Sequence, residues 1–99
     1  MTPEGKVKKK VLEILTSNGA YYCMPVTGGY GRSGVPDIIA CFHGKFLAIE
    51  CKAGKNLPTA LQLKAINDIR SAGGRALVIY EDNLEDLEFV IKFIKGEHK

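Results

Sequence analysis

The sequence predicts one mixed α/β domain in which helices cover both faces of a central sheet. Three observations support this: apolar residues recur at helical spacing in three segments, β-prone apolar runs lie between them, and glycine- or asparagine-containing turns separate the segments. The predicted order is α-β-β-β-α-β-α, so a hairpin precedes a helical crossover into a further strand, which favours a mixed sheet. With 99 residues, we expect a single domain over residues 1–99.

The first helix is predicted from about Pro3 to Ser17. Thr2 is a suitable N-cap, proline suits the first helical position, and Asn18-Gly19 is a stop signal. The apolar face of this helix contains Val7, Val11, Ile14 and Leu15. A strand over Ala20–Met24 follows. Four glycines among the eight residues from 27 to 34 then predict a loop.

The next two strands are predicted to form a hairpin. Asp37–Phe42 and Lys45–Cys51 are apolar, β-prone runs, and His43-Gly44 between them suits a two-residue turn. Both faces of these strands are apolar, which favours a sheet covered on both sides. The remaining predicted elements are a loop over Gly54–Pro58, a helix from Thr59 to about Ala72, a strand over Arg75–Tyr80, and a helix from about Leu84 to Lys95 capped by Asn83.

Composition excludes several classes of protein. Apolar residues make up 45% and charged residues 25%, which excludes disordered, collagen-like and coiled-coil chains. No apolar run approaches the roughly 20 residues of a membrane span and no signal peptide is recognisable, so we expect no membrane partner. Three cysteines without CxxC spacing, with Cys41 and Cys51 in apolar segments, favour buried, reduced thiols in an intracellular protein over disulfides or zinc.

The charge is unevenly distributed. Residues 1–80 carry 11 lysines and arginines against 5 acidic residues, whereas residues 81–99 carry 3 against 6. A basic body suits a polyanionic partner, but lysines that are merely solvated explain this excess about equally well.

Three charged residues are expected to meet at one end of one sheet face. With His43-Gly44 as the turn, Asp37 lies opposite Glu50, and Lys52 shares the face of Glu50 because strand side chains alternate. Carboxylates directly opposite each other repel, and the neighbouring positions on that face are apolar. A divalent cation between them explains the pattern, since Mg²⁺ takes oxygen ligands. Taken singly, Asp37 is better explained as a turn or strand-initiating residue after Pro36, and Glu50 and Lys52 as a surface edge of the strand. Taken together, the three residues favour the metal site.

Glu4 is a candidate third acid. It precedes Val7 by three residues and Val11 by seven, which places it on the apolar face of the first helix. The alternative is an acidic first-turn residue that the helix dipole favours.

The motif Val35-Pro36-Asp37, followed after twelve residues by Glu50-Cys51-Lys52, resembles the PD-(D/E)xK nuclease signature. The predicted element order is also similar to the restriction-endonuclease-like core of that superfamily. Within it, the chain resembles a stand-alone VRR-NUC domain over nearly its whole length. The supporting features are Gly34 before the first motif, Gly54 after the second, the Thr59-x-x-Gln62 helix start and Glu4.

This resemblance implies a role for each matched residue. Asp37 and Glu50 would be metal ligands, Lys52 would orient or activate the attacking water, and Gln62 would support the site. Glu4 and the backbone carbonyl of Cys51 would complete the metal ligands; cysteine at this position is a mild departure from the family pattern. Gln62 is equally explained as part of a capping box with Thr59.

The resemblance also implies an activity and partners. The chain would be a Mg²⁺-dependent endonuclease, with Mn²⁺ as a substitute, that hydrolyses phosphodiester bonds in branched DNA. It would resolve four-way (Holliday) junctions as a homodimer in the cytoplasm of a bacterium or phage-infected host. The alternatives are a flap or nicking nuclease of the same fold, or a DNA-binding module that does not cleave.

Several residues are candidates for contacts outside the metal site. In the glycine-rich loop, Arg32 suits a phosphate and Tyr30 suits stacking on an unpaired base. The other phosphate-contact candidates are Lys6, Lys9, Lys10 and Lys55. The last helix carries Phe89 and Phe93 in addition to residues that pack on the sheet, and this apolar surplus is a candidate dimer face.

Overall fold

The described part of the chain contains helices and strands in the predicted order. The computed structural model describes residues 1–26, 31 and 33–97. The elements are α1 (Pro3–Ser17), β1 (Tyr21–Cys23), β2 (Ile38–Phe42), β3 (Lys45–Cys51), α2 (Ala60–Ser71), β4 (Arg75–Ile79) and α3 (Leu84–Glu97). None of the helices in these ranges is both long enough and apolar enough to cross a bilayer.

The helix starts follow from local capping. The Thr2 hydroxyl accepts a hydrogen bond from the Gly5 N–H at 3.0 Å, which satisfies one of the unpaired donors at the start of α1. At the start of α2, Thr59 and Gln62 form both halves of a capping box, with bonds of 3.2 Å and 2.8 Å. The predicted starts of both helices are therefore explained by their own side chains.

The four strands form one mixed sheet in the order β1-β2-β3-β4. The first two pairings are antiparallel and β3 pairs with β4 in parallel. The hairpin register is the predicted one, because Ile38 pairs with Ile49 and Phe42 with Lys45. His43 and Gly44 have φ angles of 49° and 75°, and a tight type I′ turn requires positive values at both positions. This register places residue 37 opposite residue 50.

Helices pack on both faces of the sheet, but they cover them unequally. Helices α1 and α3 cover one face with the main core, which contains Val7, Val11, Leu15, Ile38, Ala40, Phe42, Leu47, Ile49, Cys51, Ile79, Leu87, Ile91 and Ile94. On the other face, α2 packs its buried Ile66 against Ala48 and Ala76. Phe46, on that same face, remains 44% exposed.

The prediction of buried cysteines is correct for Cys51 and wrong for Cys41. Cys51 is buried in the main core, whereas Cys41 and Cys23 are exposed. Cys41 lies opposite Phe46 on the α2 side of the hairpin, toward the turn. Because α2 packs over β3 and β4, it leaves that part of the sheet uncovered. An apolar sequence context therefore did not ensure burial.

The free edge of β4 is partly blocked by side chains. The Arg70 guanidinium donates two hydrogen bonds, of 3.2 Å and 2.8 Å, to the Ala76 carbonyl. The Asn83 amide donates one of 3.1 Å to the Val78 carbonyl. Capped carbonyls on an edge strand disfavour the addition of a further strand. An association with another chain through this edge is therefore disfavoured.

Gly34 brings the segment before β2 against the first turn of α2. Its φ is +75°, and a Cβ atom at this position would collide with the Leu61 carbonyl and lie 2.8 Å from the Gln62 nitrogen. Only glycine accommodates both the positive φ and the close approach. This contact sets the position of Pro36 and Asp37 relative to α2.

We expect Gly34→Ala to lower the free energy of unfolding by about 2–4 kcal/mol, because it adds left-handed backbone strain to a collision with the backbone of α2. Gly44→Ala is the matched control: Gly44 has the same φ of +75° but no atom within 4 Å of the added Cβ. It should cost only the strain, about 1–2 kcal/mol. Urea unfolding of both variants measures the difference, and equal losses would contradict the close contact.

Candidate active site

Two carboxylates at one end of the hairpin each accept a hydrogen bond from a backbone N–H on the opposite side of the hairpin. The Asp37 N–H donates to Glu50 Oε1 at 3.2 Å, and the Cys51 N–H donates to Asp37 Oδ2 at 2.9 Å. Glu50 is only 2% exposed. Among the residues that the structure describes, it is the only charged residue that is buried. The two reciprocal hydrogen bonds position the carboxylates across the point where β2 begins and β3 ends.

Each carboxylate also has a lysine as a counter-ion. Lys52 Nζ lies 3.6 Å from Glu50 Oε2, and the Lys52 side chain is only 12% exposed. Lys8 Nζ, from α1, lies 3.9 Å from Asp37 Oδ1. The structure therefore brings Asp37, Glu50 and Lys52 together as the hairpin register predicted, and it adds Lys8.

Burial disfavours ionisation of the Glu50 carboxyl group. Loss of hydration raises the pKa of Glu50 above its ordinary value, and the negative charge of Asp37 raises it further. The positive charge of Lys52 opposes these effects without cancelling them. A further cation next to the pair would favour the ionised form of Glu50.

The group of Cys51 that suits a metal ion is its backbone carbonyl rather than its thiol. Burial, with the nearby Asp37 carboxylate, raises the pKa of the Cys51 thiol to about 12, so the side chain stays neutral and its sulfur is a poor metal ligand. In a strand the N–H and C=O of one residue point to the same side. Because the Cys51 N–H bonds to Asp37, its carbonyl also faces the side on which Asp37 lies.

Gln62 takes part in both of the interactions considered for it. Its side-chain oxygen accepts from the Thr59 N–H at 2.8 Å, which completes the capping box. Its side-chain nitrogen donates to Glu50 Oε2 at 2.9 Å. The first turn of α2 therefore orients the buried carboxylate with the same side chain that caps the helix.

Glu4 lies apart from the two paired acids. It is half-buried in the first turn of α1, in a depression of about 390 Å³ that it lines with Ala53, Gly54 and Asn56. Among the described residues, no three acidic, histidine or cysteine side chains converge as a ready metal cluster. The oxygen donors at Asp37 and Glu50 nevertheless suit Mg²⁺, which is often bound by one or two carboxylates and retains several waters.

Four of the six other predicted contact residues lie in the described part of the chain. Lys6, Lys9 and Lys10 are exposed on α1, and Lys55 is exposed in the loop before α2. Tyr30 and Arg32 lie outside the described residues. Sequence reasoning missed Lys8 as a site residue; the available signal was its position one helical turn after Glu4, since residues four apart share a helix face.

We expect the free energy of unfolding of metal-free Glu50→Gln, relative to that of the wild type, to increase as the pH rises. Because folding raises the pKa of Glu50, its contribution is fully present below the ordinary value of 4.5 and is lost as the pH rises through the raised pKa. Glutamine does not ionise and avoids this loss. Urea unfolding in EDTA from pH 4.5 to 8 measures the difference between the variant and the wild type.

Glu13→Gln, which makes the same chemical change at an exposed position on α1, is the control for this measurement. A Glu50→Gln curve that runs parallel to the wild-type curve over this pH range would contradict the unfavourable ionisation of Glu50.

Comparisons with known proteins agree with this fold. The solved structure of a VRR_NUC domain superposes with a TM-score of 0.70 at 22% identity, covering 97% of this chain and 94% of that one. Hjc, a Holliday junction resolvase from Archaeoglobus fulgidus, gives a TM-score of 0.56 at 23% identity, covering 79% of this chain and 69% of that one. At these identities the likeness shows the fold.

No curated protein sequence matches the chain. The family model of the archaeal Holliday junction resolvase (Hjc) matches residues 5–95, which include the hairpin with Asp37 and Glu50 and nearly all of the three helices. The chain therefore belongs to the archaeal Holliday junction resolvase family.

Proposed function

We propose that this protein is a Mg²⁺-dependent, structure-selective DNA endonuclease that resolves four-way junctions as a homodimer, with Mn²⁺ able to replace Mg²⁺. The observation that carries the proposal is the buried Glu50 paired with Asp37 and accompanied by Lys52. Membership of the resolvase family supports the substrate class. The chemistry of these three residues supports hydrolysis of a phosphodiester.

Asp37, Glu50 and the Cys51 carbonyl would hold the metal ion, with Glu4 as a further ligand from α1. Their oxygen atoms are the donors that hard divalent cations prefer. When bound, the metal ion would polarise the scissile phosphate and lower the pKa of a water molecule. A divalent cation here would favour the ionised form of Glu50, which burial otherwise disfavours.

Lys52 is suited to act directly on the reaction. Its ammonium is confined next to Glu50, so its position is already set before substrate binds. From there it would orient the attacking water and stabilise the negative charge that develops on the phosphate oxygens. Gln62 would act through Glu50, because its amide donates to that carboxylate and limits its rotation.

DNA would be bound mainly through phosphate contacts from lysines. Lys6, Lys9 and Lys10 on α1 and Lys55 before α2 are exposed, as such contacts require. We assign Arg32 and Tyr30 the loop contacts proposed from the sequence. Phosphate contacts carry no base-sequence information directly, so binding through them favours recognition of DNA shape over base sequence.

A DNA-binding module that does not cleave is the less favoured alternative. Clustered carboxylates repel the phosphates of DNA, so they weaken binding unless a metal ion uses them. A flap or nicking nuclease would use the same residues. It would differ from a junction resolvase only in the preferred DNA structure, which an assay with several substrates distinguishes.

The proposed homodimer would form through α3. Phe89 and Phe93 are 68% and 51% exposed on this helix, which is more apolar surface than a solvated helix needs. A two-fold axis would place two copies of the site so that they cut two strands of a junction symmetrically.

We expect Asp37→Ala and Lys52→Ala each to reduce cleavage of a labelled four-way junction by about 100-fold or more, because the first removes a metal ligand and the second removes the ammonium that would stabilise charge on the phosphate. The assay compares junction, flap, splayed-arm and linear duplex DNA with Mg²⁺, with Mn²⁺ and with EDTA. Lys92→Ala, an exposed change on α3 away from the site, is the control.

Cleavage of flaps or duplex but not of junctions would retain the nuclease and exclude the resolvase. Binding of DNA without cleavage in any metal would exclude the enzyme.

We expect the wild-type protein to have the mass of a dimer in light scattering after size-exclusion chromatography. The double variant Phe89→Asp, Phe93→Asp should have the mass of a monomer, because paired carboxylates would be buried in the interface. Unchanged far-ultraviolet circular dichroism would exclude unfolding as the cause. A wild-type monomer at micromolar concentration, or a variant that remains dimeric, would contradict an interface at α3.

A further inference from the structure

The ion pair between Lys8 and Asp37 lies on the carboxylate oxygen that the backbone leaves available. Asp37 Oδ2 accepts the Cys51 N–H at 2.9 Å. Oδ1 is the oxygen that lies 3.9 Å from Lys8 Nζ. Because Oδ2 already accepts a hydrogen bond, Oδ1 is the more available oxygen for a cation, and a cation bound there would lie close to the Lys8 ammonium and repel it.

The two lysines of the site differ in their freedom to move. The Lys52 side chain is only 12% exposed, so its ammonium is confined next to Glu50. The Lys8 side chain is 38% exposed, and its contact with Asp37 is at the long end of the ion-pair range. A long, half-exposed lysine can turn into solvent at little cost in free energy, because such pairs contribute little.

Charge balance gives Lys8 a role in the metal-free protein. Asp37 and Glu50 are neighbours, because the Asp37 N–H donates to Glu50 Oε1 at 3.2 Å. Lys8 and Lys52 together match these two negative charges. Addition of a divalent cation makes the group of four residues and the metal positive, which favours a phosphate diester as the next ligand.

We propose that Lys8 is a displaceable counter-ion: its ammonium neutralises Asp37 in the metal-free protein, a divalent cation displaces it from Oδ1, and it then contacts a phosphate of the DNA. This inference rests on the proposed metal site and adds a positioning residue to it. Metal binding thereby becomes an exchange of one cation for another. The same exchange couples metal binding to DNA binding.

The first test is metal affinity, measured by calorimetric titration of the DNA-free protein with Mg²⁺ and with Ca²⁺. Lys8→Met keeps the length of the side chain and removes the charge that competes for Asp37. It should bind each metal about two- to fivefold more tightly than the wild type, which is the fold-change expected from a half-exposed ion pair. Its melting temperature in EDTA should fall.

The second test is the salt dependence of junction binding, measured in Ca²⁺ and in EDTA. Each phosphate contact made by a lysine adds about 0.9 to the slope of log K against log salt concentration. In Ca²⁺ the wild-type slope should exceed that of Lys8→Met by about this amount, because Lys8 is free to contact DNA. In EDTA the two slopes should agree, because Lys8 remains paired with Asp37.

Two further variants serve as controls. Lys92→Met makes the same change in charge at an exposed position on α3 and should behave as the wild type in both tests. Lys8→Arg keeps a cation at the site and should restore most of the wild-type metal affinity and slope. This conservative variant separates the loss of the charge from a loss of folding.

Unchanged metal affinity in Lys8→Met, or equal slopes in Ca²⁺, would overturn the exchange. A change of equal size in Lys92→Met would overturn it as well, since it would show a general effect of net charge. A wild-type protein that binds neither metal would instead remove the proposed metal site, so the two failures are distinguishable.

Discussion

The structure depends on the need to satisfy a buried carboxylate. Glu50 is almost fully buried next to a second acid, which is costly unless hydrogen bonds and counter-ions surround it. The Asp37 N–H, the Gln62 amide and the Lys52 ammonium supply these contacts. Asp37 directly precedes β2, Gln62 lies in α2, and Lys52 directly follows β3. The charge of one side chain therefore constrains how these three elements meet.

Helix α2 serves the fold and the site with the same residues. Its capping box fixes where the helix begins, and Gln62 extends from that box to Glu50. Gly34 allows the segment before β2 to contact the same turn, which carries Asp37 toward the site. A change at either position therefore affects stability and site geometry together. The site is preorganised because it is built on a capped helix and a paired hairpin.

The two faces of the sheet differ in how much apolar surface they bury. The face under α1 and α3 carries the main core and supplies most of the stability through buried apolar side chains. The face under α2 is covered by a smaller cluster and remains open near Phe46. The two lysines of the site also differ in exposure, since the Lys52 side chain is 12% exposed and the Lys8 side chain is 38% exposed. Confinement suits a group that acts on the reaction, and exposure suits one that exchanges partners.

Local patterns in the sequence determined the elements and the pairing of the acids. Caps and stop signals defined α1 and α2, and a two-residue turn set the register that places Asp37 opposite Glu50. Such features depend on neighbours along the chain or across one turn, so they can be read without the fold. The exposure of Cys41, the placement of Lys8 on Asp37 and the contact of Gln62 with Glu50 were decided by tertiary structure. They depend on where a helix crosses the sheet and how it is rotated about its axis, which residue periodicity alone does not specify.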